Sequence, residues 1–179
     1  MFLSEACSQV IAKMELTARV IWGALTASML LYVVVAFAVA ANLEAPTGSG
    51  GILGALAVLA GVEVVVAEYW RRSRFSGDPA LRAALTACGS RSVPDAPGLA
   101  SDEQWVVAGL RVRLTHFVVL MGLHAGVALL GLVAALLDGR PESILPFVGV
   151  AIVLNLVVFP KWQRDAVRML EFIQSGLTA

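Results

Sequence analysis

The stretch GILGALAVLAGVEVVVAEYWRRSR, Gly51 to Arg74, decides the fold. Its apolar part, Gly51 to Trp70, would cover about 30 Å as a helix rising about 1.5 Å per residue, which is the hydrocarbon thickness of a bilayer. It closes on Tyr69 and Trp70, followed by Arg71, Arg72 and Arg74. Aromatic rings at headgroup depth with cations just outside are the expected end of a membrane span. One residue resists that reading, Glu63, about 10 Å inside the end marked by Trp70. A charge near a helix centre costs about 2.5–3.5 kcal/mol on insertion scales, and each Leu, Ile or Val of the run returns about 0.3–0.6. Insertion therefore balances near neutral, on condition that the carboxyl is protonated, paired or in contact with water.

Three more apolar runs reach similar length: Val20 to Ala41, Leu114 to Leu137 and Ser143 to Pro160. The whole chain of 179 residues is 59% hydrophobic and 15% charged, with a mean hydropathy of +0.83, far from the composition of a soluble domain. A soluble bundle would need a polar stripe along each helix, and these runs have none. The expected fold is all-α, a four-transmembrane-helix bundle of two helical hairpins with cytoplasmic helical extensions. Its segments are 1–19 (N-terminal), 20–70 (first hairpin), 71–113 (middle loop), 114–160 (second hairpin) and 161–179 (amphipathic tail).

Net charge is zero, but the cations are sorted. Lys13 and Arg19 precede the first run. Arg71, Arg72, Arg74, Arg82, Arg91, Arg111 and Arg113 separate the second from the third, and Lys161, Arg164 and Arg168 follow the fourth. Arg140 alone falls in the other set of loops, so the positive-inside rule puts both termini and the long middle loop in the cytoplasm. The small-x-small pattern after Ala40 is that of a signal peptidase site, but the apolar run and its leader are long for a secretory signal, and the expectation is an uncleaved span. Cys7 and Cys88 then lie on the reducing side, with no disulfide and no metal spacing expected.

In the middle loop, Asp78 followed by Pro79 starts a short helix ending at Gly89, and Ser101 with Gln104 forms a capping box that opens a long third helix. Beyond Pro160, Trp162, Ala166, Met169, Leu170 and Ile173 share one helical face. Two readings of that face stand open, a helix lying on a membrane or partner and a tail packed on its own chain.

Counting depth along each span puts Thr26, Ser28, Glu63, His124 and Asn155 in the cytoplasmic half or at the midplane. They form a candidate intramembrane polar cluster, with Glu63 and His124 as a titratable pair. It serves either as hydrogen-bond glue between helices or as a proton or ion site. Small residues mark expected close helix approach at Gly122, Gly126 and Gly131 in the third span and at Gly54 and Gly61 in the second. Arg71, Arg72, Arg74, Arg111, Arg113 and Lys161 are expected to contact lipid headgroups. The arginines lack interleaved aromatics, which argues against nucleic acid. No catalytic motif, cofactor site or metal site is present. The expected partners are the lipid bilayer and either a second copy of the chain or another membrane protein. The expected role is a non-enzymatic subunit or scaffold, with a small transporter or proton- or ion-conducting element using Glu63, His124 and Asn155 as the alternative.

RVIWGALTASMLLYVVV (19–35), GLHAGVALLGLVAALLDG (122–139) and LVVFPKW (156–162) together resemble a group of small bacterial four-span inner-membrane proteins of uncharacterised role. That resemblance implies fold and location and no activity. A carboxylate in the second helix of a hairpin is also similar to the proteolipid rotor subunits of rotary ATPases. The long glycine ladder and polar Arg-Gln-Pro loop of those subunits are missing here, and the hairpin orientation is inverted, so no rotor function follows.

Overall fold

The computed structural model describes residues 3–43, 50–89, 98–159 and 162–175. All its regular elements are helical: α1 (Glu5–Val39), α2 (Gly50–Phe75), α3 (Gly77–Gly89), α4 (Ser101–Asp138), α5 (Leu145–Val157) and α6 (Trp162–Gln174), with 3-10 turns at Ala40–Asn42 and Pro141–Ile144. Gly77 (φ 72°) makes the turn between α2 and α3, and Gly139 (φ 65°) ends α4 in the left-handed conformation that glycine adopts freely. Pro141 then restarts the chain at the first position of a helical turn.

Three helices, α1, α2 and α4, are long and apolar enough to cross a membrane. The fourth apolar run differs from expectation. Its α-helix is α5, only 13 residues long, and it reaches span length only when joined to α6. With the preceding 3-10 turn, residues 141–157 extend about 27 Å, so this segment is short for a span by itself.

The chain divides into two compact units. The first comprises Met1–Val20, Trp70–Val118 and Pro160–Ala179, and its core is built like that of a small helical domain. Cys7 and Ile11 of α1, Leu81 and Leu85 of α3, Val106, Leu110 and Phe117 of α4, and Trp162, Ala166, Met169 and Leu170 of α6 are all buried. The Trp162 ring meets Phe117 edge-on, 6.2 Å between centroids. Gly109 leaves room where α3 and α6 converge on α4: a Cβ there would stand 3.1 Å from both Leu85 Cδ2 and Met169 Sδ. The apolar face of the tail is thus covered by its own chain, which closes the membrane-surface reading of α6.

The capping box of α4 is shifted by one residue from expectation. Ala100 is the N-cap, its carbonyl accepting the Gln104 N–H at 3.0 Å, and Glu103 reaches back to the Ala100 N–H at 3.4 Å. Gln104 instead donates to the Leu99 carbonyl. Glu103 is preferred because its carboxylate serves a second helix start as well. It accepts the Ser4 N–H at 2.7 Å and the Ser4 hydroxyl at 2.8 Å, while that hydroxyl accepts the Cys7 N–H and caps α1. Burial acts to raise the Glu103 pKa, but the bonds from Ser4 and Ala100 outweigh it and hold the carboxyl below its usual range. Burial, and then the Glu103 charge, push the neighbouring Cys7 thiol up to about 11, which leaves it unreactive.

Because the folded carboxyl titrates below its unfolded value of about 4.3, its contribution is complete above that pH and is lost as pH falls through the folded value. Amide exchange protection at Ser4, Cys7 and Ala100 is expected to stay level from pH 7 to about 5 and to fall below about pH 4. Protection that ignores pH across this range would contradict the role given to Glu103.

The second unit comprises Ile21–Tyr69 and Val119–Phe159. Its core is rich in small side chains: Ala36 of α1, Ala40 of the 3-10 turn that follows it, Ala60 of α2, Ala128 and Ala135 of α4 and Ala151 of α5, with Met29, Val127, Ile144 and Val148 between them. Small residues let helix backbones approach closely, the usual means of packing where water does not drive association. Gly131 is part of this, since a Cβ there would lie 2.5 Å from Phe147 Cβ. The outer surface of this unit is apolar. Leu30, Leu31, Val34, Val58, Val62, Val65, Val153 and Leu156 are all exposed, a surface suited to hydrocarbon and unsuited to water. Only 11% of the apolar window of α1 and of α2 is buried, against 44% for α4, so the first two present most of that outer face.

Candidate functional site

In the second unit, α1, α4 and α5 bring Thr26, His124 and Asn155 together. His124 is 1% exposed and Asn155 is fully buried. His124 Nδ1 lies 2.7 Å from Asn155 Oδ1. An amide oxygen only accepts, so the imidazole carries its proton on Nδ1. The Asn155 amide nitrogen then donates to Thr26 Oγ1 at 3.1 Å, and the Thr26 hydroxyl donates to the Trp22 carbonyl at 2.8 Å. The bonds run in one direction and end on a backbone oxygen.

The same asparagine is tied through its main chain. The Trp22 indole N–H donates to the Asn155 carbonyl at 3.1 Å, the same oxygen that accepts the Val158 N–H at 3.2 Å where α5 ends. Trp22 also packs edge-on against Phe159, 5.4 Å between centroids. Its polar end is therefore used inside the protein.

Two members of the expected cluster are elsewhere. Ser28 donates to the Leu25 carbonyl of its own helix at 2.7 Å, which leaves no hydroxyl proton for the group. Glu63 lies against Gly126, where a Cβ would stand 2.8 Å from the carboxyl carbon. Gly126 and His124 are two residues apart on α4, about 200° around the helix. The carboxyl and the imidazole are thus on opposite faces of α4, and the titratable pair is not formed.

Glu63 has no hydrogen bond or ion pair among the described residues. It opens into a groove of about 400 Å³ between α2 and α4, walled by Leu59, Val62, Val66, Leu123, Leu129 and Leu130. Of the glycines expected to pack helices, Gly126 and Gly131 do so. Among the described residues, Gly54, Gly61 and Gly122 have nothing within 4 Å of a built Cβ.

The arginines also divide. Arg72 and Arg111 are exposed, and Arg71 is half-buried. Arg74 stands over the Trp70 ring, 5.5 Å from its centroid. Arg113, expected at the headgroups, is instead turned into the first unit and is 6% exposed. It pairs with Asp165 of α6 at 2.9 Å and lies over Phe75 at 5.1 Å. Burial lowers its pKa and the Asp165 carboxylate restores part of that shift; an arginine stays charged throughout. The reason for the inward turn is Asp165, far away in sequence, which offers a charge partner that lipid would otherwise supply. Lys161 lies outside the described residues.

Among the described residues no group of three or more His, Cys, Asp or Glu is placed to hold a metal ion, and Cys7 and Cys88 are both buried. Comparison with protein-family models, with curated proteins and with solved structures returns no match.

Proposed function

We propose that the chain is a non-enzymatic integral inner-membrane subunit or scaffold, crossing the bilayer four times with both termini in the cytoplasm, and working in an assembly with copies of itself or another membrane protein. The observation that carries this reading is the hydrogen-bonded chain from His124 through Asn155 and Thr26 to the Trp22 carbonyl. A backbone carbonyl passes no proton onward, so these polar groups hold helices together and do not conduct. The open glycines of α2 and α4 and the apolar outer face leave room for a second chain to approach closely.

Polymer extraction of the full chain into native nanodiscs, followed by native mass spectrometry, tests the reading. More than one protein chain per particle is expected, with the same stoichiometry in Glu63→Gln. A single chain alone in every particle would overturn the assembly role. A second reading, a small cation carrier, is favoured by the unpaired Glu63 beside its groove; on that reading it works without His124 and Asn155.

A further inference from the structure

We propose that the groove between α2 and α4 is a binding site for a lipophilic organic cation, with Glu63 as its counter-charge. An unpartnered carboxyl beside an apolar recess is an incomplete arrangement. Its charged form needs either water or an opposite charge, and the six aliphatic walls supply neither. A cation whose charge is embedded in hydrocarbon satisfies both demands at once: its apolar groups cover the leucines and valines, and its centre neutralises the carboxylate. At about 400 Å³ the recess falls in the range of small-molecule sites, about 300–1,000 Å³.

The depth of Glu63 narrows the occupant further. It stands about 10 Å inside the end of the span marked by Trp70, below headgroup level. The ammonium of a phospholipid would have to draw its phosphate into hydrocarbon to reach it. A solute with a shielded or delocalised positive charge carries no such attachment. Gly126 has a defined part in the site. A side chain there would occupy the place of the Glu63 carboxyl, so only glycine lets the carboxyl lie across the backbone of α4 at the groove floor. The inference concerns binding and holds whether the protein is a scaffold or a carrier.

No other titratable group lines the groove: the walls from α2 are Leu59, Val62 and Val66, and those from α4 are Leu123, Gly126, Leu129 and Leu130. Binding is therefore expected to follow the protonation of Glu63 alone, weakening as pH falls.

The test uses the purified full chain in detergent micelles with two probes of the same shape and opposite charge, tetraphenylphosphonium and tetraphenylborate. Saturable binding of the phosphonium is expected, weakened at least about tenfold in Glu63→Gln, with no saturable binding of the borate. A tenfold loss corresponds to about 1.4 kcal/mol. Val66→Trp fills the groove from an exposed position and leaves the carboxyl in place; it is expected to abolish phosphonium binding, and it stands as the test should Glu63→Gln fail to fold. Equal uptake of both probes, or phosphonium binding that survives both substitutions, would show partition into apolar surface only and overturn the site. Displacement of the phosphonium by an amine-headed phospholipid but by no soluble cation would overturn the choice of occupant.

Discussion

Asn155→Ala lowers the unfolding free energy of the purified protein by about 2–4 kcal/mol. The substitution removes the bonds to His124 Nδ1 and Thr26 Oγ1 and the contact with Met29 Sδ at 3.7 Å. Interhelical hydrogen bonds in membrane proteins contribute about 0.6 kcal/mol each on average, and up to about 1.7. The larger part of the expected loss comes from what is left behind. The His124 Nδ1–H would lose the Asn155 acceptor it now has, and an unmade buried bond costs about 1–3 kcal/mol. Denaturant unfolding in mixed micelles gives the number. Ser28→Ala is the control, because that hydroxyl only bonds its own helix. Should the two variants lose the same stability, the polar chain does not hold the helices together.

The second large effect is expected at the Arg113–Asp165 pair. Asp165→Ala leaves a guanidinium buried without its counter-charge, and breaking such pairs typically costs about 3–5 kcal/mol. The Asp165 side chain is 21% exposed, so water softens the penalty and about 2–3 kcal/mol is the expectation. Among the described residues the buried Nη1 of Arg113 already has no hydrogen-bond partner, which leaves that arginine little to fall back on. The paired change Arg113→Met with Asp165→Leu is expected to restore most of the loss, as apolar replacement of a buried ion pair is often neutral or stabilising. Limited proteolysis between α3 and α4 is the readout, with faster cleavage in Asp165→Ala and near-native cleavage in the double variant. Slow cleavage in both would mean that the pair carries no stability.

These two sites also show what a single sequence can and cannot reveal. The three long apolar helices, the sorting of cations and the apolar face of α6 are local patterns, legible from spacing alone; the fourth run, which yields only the 13-residue α5, is not. The partner of that face was not, because Leu85 and Gly109 meet Met169 only after α3 and α4 have folded. Depth counted along a helix places a polar residue on one axis only. Depth groups Asn155 with His124, and the structure joins them. The same depth groups Glu63 with them, and the structure sets it on the other face of α4. The azimuth of His124 relative to Gly126 was available in the sequence, but nothing there said which of those two faces α2 would take. Arg113 illustrates the same limit: beside an apolar run a cation reads as a headgroup contact, and Asp165 lies too far along the chain to announce itself.

The glycines separate in an informative way. Gly131 and Gly126 are filled by Phe147 and Glu63, whereas Gly54, Gly61 and Gly122 stand open. Small-x-x-x-small spacing marks where a backbone can be approached. It does not identify which neighbour arrives.

The central proposal is that the apolar helices cross the bilayer with the turn between α2 and α3 in the cytoplasm and the turn after α4 on the opposite side. Single cysteines at Ser76 and Arg140, both exposed positions, in a background with Cys7 and Cys88 replaced by alanine, test it directly with a membrane-impermeant maleimide on intact spheroplasts. Labelling at position 140 without lysis, and at position 76 only after lysis, is the predicted result. Labelling at position 76 in intact spheroplasts, or at neither position before or after lysis, would contradict it.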